Sequence, residues 1–200
     1  MSEPEDRSHE PDLFRLKAAS DAIATNPEWA LGELMALAEQ GSVLSMIHLG
    51  CSFRDGLGGK VDTIQATRWF ERAKDCGSLL GSFYLGSLYW RLEDYDKAEV
   101  ELSSSADKDY MQSIYWLGRF YIYGPEGRRD VAKGLNFLRK GAKMGHIFAK
   151  RDLGSLLMGG AEGMFGRVNG LLIFISGIME ARRTAARDPS SQRLRSDGAY

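Results

Sequence analysis

Catalysis in this chain would have to be built from three histidines, two cysteines and scattered carboxylates, and none of these is spaced for it. His9, His48 and His146 stand far apart, and no pair has the separation that puts two imidazoles on one metal ion. No HExxH helix, GxSxG elbow or phosphate loop occurs. Gly56-Leu57-Gly58-Gly59 has the glycine density of a phosphate cradle, yet its place between two periodic helical segments accounts for it. The carboxylates Glu71, Asp75, Glu93, Asp94, Asp96 and Glu99 fit solvated helix faces and loops. These residues imply no catalytic group, no metal site and no cofactor: the expectation is a non-enzyme.

The elements behind those residues repeat. Leu49-Gly50, Leu85-Gly86, Leu117-Gly118 and Leu153-Gly154 follow one another at 36, 32 and 36 residues, a period that marks a solenoid. Four residues before each Leu sits a small side chain (Ser45, Gly81, Ser113, Ala149), and four after it a large apolar one (Phe53, Tyr89, Tyr121, Leu157). Residues four apart share one stripe of a helix, so each stripe offers a close-approach surface beside a filler. Nine residues before each Gly is a turn position, held by Gly41, Gly77, Asp109 and Gly145, where positive φ is expected just past a helix end. A second helix follows, with small columns at Ala66, Ala98, Gly134, Gly170 and at Ala73, Ser105, Gly141, Gly177. Between the two helices lie the glycine-rich Asp55–Gly59 and Tyr123–Gly127, whereas Leu92-Glu93-Asp94-Tyr95-Asp96 makes a shorter join in the second unit. Each unit is a helical hairpin that must stack on its neighbours to bury its apolar faces.

Upstream, Asp12 to Ile23 is amphipathic, Asn26-Pro27 breaks it, and Trp29 to Gly41 fits a second helix. The expected organisation is an acidic disordered head over 1–11, a capping helix pair over 12–41, and four repeats over 42–182 (about 42–77, 78–109, 110–145 and 146–182). A basic disordered tail follows over 183–200. A net charge of −1 argues against a nucleic-acid binder.

The columns resemble the Sel-one-like repeat family, a branch of the tetratricopeptide-like helical repeats. The third unit carries the resemblance best, through Ser113, Leu117-Gly118, Tyr121, Gly124, Gly127, Val131-Ala132-Lys133, Phe137-Leu138 and Lys140 to Gly145. The first matches through Leu49-Gly50, Gly56, Gly58, Ala66, Trp69-Phe70, Ala73 and Gly77, while Asp94 to Ala98 looks like a plain tetratricopeptide unit. The resemblance implies an all-α fold, a right-handed α-solenoid of antiparallel helix pairs, and a scaffold or adaptor that holds a partner protein or peptide. It also implies that first helices line a concave face. The inward positions are then Ile47, Cys51, Arg54, Phe83, Ser87, Trp90, Tyr115, Arg119, Ile122, Arg151, Ser155 and Met158. Tyr, Trp and Arg are typical binding hot spots, and the three arginines suit acidic groups on a bound peptide. Some secreted relatives staple each hairpin with a disulfide; Cys51 and Cys76 allow one bridge at most, and with no secretion signal both read as reduced thiols in the cytoplasm.

One segment breaks the pattern. Gly170 to Met179 has no charge, and a helix apolar all round must be covered on both sides. With Arg167 and Asn169 before it and Glu180 after it, the run is too short to span a bilayer. Read plainly, the run is a repeat helix packed on its predecessor; its further apolar face makes Leu171, Leu172, Phe174, Ile175 and Ile178 the expected second interaction surface. Its candidate covers are a partner protein, a second copy of the chain, or a membrane interface helped by Arg182, Arg183 and Arg187.

Overall fold

A computed structural model describes residues 10–161 and 163–187. The expected head falls mostly outside these residues, as do His9 and the tail from 188 onward. Among the described residues the chain is α-helical and has no strand. It divides into two compact units, one ending at Lys108 and one beginning at Asp109. The first holds α1 (Leu13–Ala22), α2 (Pro27–Glu39), α3 (Val43–Asp55), α4 (Thr63–Asp75), α5 (Leu79–Arg91) and α6 (Tyr95–Ala106). The second holds α7 (Met111–Tyr123), α8 (Val131–Lys143), α9 (Ile147–Met158) and α10 (Gly163–Arg187). Helices pack in consecutive pairs, α1 on α2, α3 on α4 and α5 on α6, and likewise α7 on α8 and α9 on α10.

Local chemistry sets the ends. Asp12, Ser42, Asp62, Ser78, Asp94, Asp130 and His146 each cap a helix by accepting a backbone N–H at its first turn. A short polar side chain satisfies donors that the first turn leaves open. Asn26 and Pro27 start α2, with the proline at the one place where a missing N–H is harmless. All four expected turn positions have positive φ: Gly41 at 93°, Gly77 at 87°, Gly145 at 90° and Asp109 at 61°. Aspartate there accepts a left-handed conformation that glycine adopts without strain.

The Leu-Gly columns are core. Leu49, Leu85, Leu117 and Leu153 are buried, as are the small residues Ser45, Gly81, Ser113 and Ala149. Each glycine of the pair lies under the partner helix. A Cβ on Gly50 would sit 2.3 Å from the Phe70 ring, one on Gly86 2.7 Å from Leu102, and one on Gly118 2.8 Å from Leu138. The hairpins thus close through missing side chains on one helix and large ones on the other.

The last pair departs from the others. The segment expected to contribute a short second helix at 170–179 belongs to α10, which has 25 residues. Among the described residues no helix is long and apolar enough to cross a membrane.

Candidate functional site

In the second unit, α7 places Tyr115, Arg119 and Tyr123 four residues apart, on one stripe of the helix. The stripe runs from the interior to water. Tyr115 is fully buried; its ring stacks on the imidazole of His146, centroids 4.5 Å apart, and its hydroxyl donates to Asp152 Oδ2 at 2.9 Å. His146 caps α9 through Nδ1, which accepts the Ala149 N–H at 3.1 Å. Nδ1 is therefore unprotonated there, and the proton of a neutral ring sits on Nε2. Burial, and next the Asp152 carboxylate, push the Tyr115 phenol far above its ordinary value. It stays a neutral donor.

One turn on, Arg119 is exposed, with its guanidinium 5.9 Å from the ring centres of both Tyr115 and Tyr123. Among the described residues no carboxylate pairs with it. Tyr123 is exposed, and burial raises its phenol to a lesser degree. Across from this stripe, Arg151 donates from Nε and Nη2 to Asp152 Oδ1, at 2.9 and 2.7 Å, and stacks on Phe148 at 4.8 Å. Asp152 thus locks one arginine and one tyrosine, leaving Arg119 held by two aromatic faces alone. A guanidinium in that state can take a carboxylate through two parallel N–H bonds, with the rings excluding water.

The other expected positions are distributed differently. Ile47, Phe83, Ser87 and Ile122 are buried, as Tyr115 is, so none of these five offers its side chain at the surface. In the second unit the cause is visible: Tyr115, Ile122, Ala149, Leu153 and Leu157 share one apolar cluster, so the stripe points partly at α9. Ser155 and Arg151 are exposed, and Trp90 and Met158 are half-buried. Tyr123 and Asp152 belong to the site but not to the inward positions read from the repeat. Their signal was adjacency: Tyr123 extends the 115–119 stripe by one turn, and Asp152 follows Arg151.

Arg54, on α3 of the first unit, is not available to a ligand acid. Its Nε and Nη2 reach Asp55 Oδ1 and Oδ2 at 2.9 and 2.5 Å, its guanidinium lies 5.5 Å from the Tyr84 ring, and only 15% of its side chain is exposed. Arg91 at the end of α5 donates to the same Asp55 at 2.9 Å, so one carboxylate ties two helix ends. Beneath them, burial pushes the Cys51 thiol up to about 11, which leaves it a poor nucleophile. Cys51 and Cys76 form no bridge.

Asp55 gives a pH prediction. Hydrogen bonds from Arg54, then those from Arg91, outweigh desolvation and hold its carboxyl below the ordinary 3.8. A lowered folded-state value contributes stability above the unfolded value and loses it as pH falls through the folded one. Asp55→Asn should therefore flatten the dependence of Tm on pH between about 5 and 2. An unchanged acid slope would show that the pair adds nothing.

The Sel1 repeat family model matches residues 43–78 and 112–146, which hold α3 with α4 and α7 with α8. The chain carries Sel1 repeats. The two matched Sel1 stretches are the hairpins with long glycine-containing loops; the short-looped α5–α6 hairpin lies between them. Solved structures agree on the fold. A Sel1 repeat protein from Oxalobacter formigenes superposes with a TM-score of 0.65 at 16% identity, over 93% of this chain and 87% of its own. A protective antigen present in uropathogenic Escherichia coli strains, displaying an SLR fold, gives 0.64 at 22% identity over 86% of this chain, which spans only 40% of that protein's length. An immunity protein from Pseudomonas aeruginosa gives 0.57 at 19% identity, over 96% of this chain and 77% of its own. Likeness at these identities is a likeness of fold.

Proposed function

We propose that this Sel1 repeat chain is a non-enzymatic scaffold in which the exposed edge of α7 and α9 holds an acidic segment of a partner protein. Sel1 repeat proteins are generally protein-interaction scaffolds. The supporting observation is Arg119, an exposed guanidinium between the Tyr115 and Tyr123 rings that no described carboxylate neutralises. Arg151 and Ser155 extend the polar edge along α9, and Met158 supplies an adaptable apolar contact. The two thiols, neither bridged, fit a cytoplasmic setting.

The test is fluorescence anisotropy with labelled acidic peptides and neutral peptides of the same length. A charge-assisted pair contributes about 1.5–3 kcal/mol, so Arg119→Glu should weaken acidic-peptide binding by roughly 10- to 100-fold without lowering the melting temperature. Tyr123→Ala should weaken it less. Equal binding by wild type and Arg119→Glu would remove the proposal.

A further inference from the structure

Helix α10 is inside out. A surface helix normally turns large apolar side chains inward and polar ones to water. Here Gly166, Gly170 and Gly177 are buried, and a Cβ on Gly170 would lie 2.7 Å from Leu157 Cβ of α9. Ile173 packs inward on the core, but most of the large residues are left outside: Phe165 is 94% exposed, and Val168, Leu171, Leu172, Ile175, Ile178 and Met179 are all exposed. Of the residues expected in a second interaction surface, Leu171, Leu172, Ile175 and Ile178 lie in this stripe; Phe174 is half-buried and faces Gly154.

We propose that this face is a self-association surface, and that α10 pairs in antiparallel fashion with α10 of a second copy. Three observations select that occupant. Phe165, Val168, Leu172, Ile175 and Met179 recur at alternating steps of three and four, the spacing that seats knobs into holes of a like helix. Covering the stripe would remove on the order of 700 Å² per copy from water, close to the ~800 Å² per partner of a standard stable interface. The charges then choose the direction. Arg182, Arg183 and Arg187 crowd one end of α10, so parallel copies would bring these like charges together at that end. Reversing one copy sets Leu172 against Ile175, Val168 against Met179, and Arg182 against the exposed ring of Phe165, a cation–π pairing. A lipid surface fits less well: a helix lying on a membrane carries basic residues along its polar face, whereas in α10 Arg167, Arg182, Arg183 and Arg187 stand toward the two ends and Val168 to Met179 has none.

The full chain should sediment as a dimer that dissociates on dilution between about 100 and 1 μM. Leu172→Glu with Ile175→Glu should raise the dimer Kd by at least ~100-fold while leaving the helical circular dichroism and melting of the monomer unchanged, since both side chains are exposed. Register is tested by cross-linking in a Cys51→Ser, Cys76→Ser background. Val168→Cys together with Met179→Cys should form a bridge between copies; Val168→Cys alone should not, because antiparallel pairing holds the two copies of that residue roughly 16 Å apart. A monomer at every concentration overturns the proposal, and rapid bridging by Val168→Cys alone overturns the antiparallel arrangement. Binding to phosphatidylserine vesicles by a monomeric chain, abolished by Leu172→Glu with Ile175→Glu, would assign the face to a membrane instead.

Discussion

Gly154→Val should separate α10 from α9 and lower the melting temperature of the chain more than Gly118→Val does. A Cβ at Gly154 would lie 2.8 Å from the Gly170 carbonyl oxygen and 2.8 Å from both the backbone N and the Cβ of Phe174. These are backbone atoms of the facing helix or rigidly attached to it, so they move only if α10 moves. At Gly118 the nearest atoms are the Leu138 side chain at 2.8 and 2.9 Å, with the backbone N further off at 3.3 Å. A leucine can change rotamer; a carbonyl cannot step aside. Removing a helical glycine gains at most about 1 kcal/mol in propensity, less for valine, whereas overpacking costs typically 1–3 kcal/mol and more where the obstacle is backbone. The balance is a loss on the order of 3 kcal/mol. Thermal melting with limited proteolysis reads it: α10 should become cleavable before the rest of the second unit. The outcome also separates two causes of a lost dimer, because Gly154→Val should damage both α10 docking and self-association, and Leu172→Glu with Ile175→Glu only the second. An unchanged melt would mean that the α9–α10 contact is looser than its geometry indicates.

What was legible in the chain, and what was not, divides along one physical line. Columns that describe contact within a hairpin read out directly. A small residue, a leucine and a glycine at fixed steps can only be the stripe facing a partner helix, and the turn positions follow from chain reversal, which is why even Asp109 has φ of 61°. Positions that depend on the next hairpin did not read out. Two residues before each leucine the stripe tilts away from its own partner, and whether it meets water or another helix is a tertiary matter: Ile47, Phe83 and Tyr115 are buried, while Arg151 in the same column is exposed. The charge of Arg54 is answered by Asp55, its neighbour in sequence, an ion pair that no periodicity discloses. In α10 the uncharged run called for cover on both sides; α9 lies against one side, and the other is exposed. Gly170 and Gly177 fall in the small columns and face inward with Ile173 and Phe174, which leaves the remaining bulk on the opposite face.

Tyr115 carries the second large effect, and it acts through stability before it can act through binding. Tyr115→Ala removes a fully buried ring that stacks on His146 and belongs to the α7–α9 cluster. Truncations of this kind cost about 3–5 kcal/mol through lost transfer energy and the cavity left behind. The variant should lose much of the cooperative unfolding of its unit, so a binding defect in it would say nothing about the Arg119 edge. Tyr115→Phe separates the ring from its hydroxyl. It keeps the stack on His146 and deletes only the hydrogen bond to Asp152, which Arg151 still holds on its other oxygen. The expected loss is about 1–2 kcal/mol in urea unfolding. The alkaline limb distinguishes the hydroxyl from a general packing effect. A phenol whose folded-state value is raised, mainly by burial and then by Asp152, contributes stability that is present below its unfolded value near 10 and is lost as pH rises toward the folded one. Wild type should therefore weaken above about pH 10, and Tyr115→Phe should weaken less steeply there although it is the less stable chain at neutral pH. Parallel alkaline limbs would mean that the hydroxyl ionises as freely in the folded protein as in the unfolded one. The buried contact with Asp152 could not then be what holds Tyr115 as a neutral donor beneath Arg119.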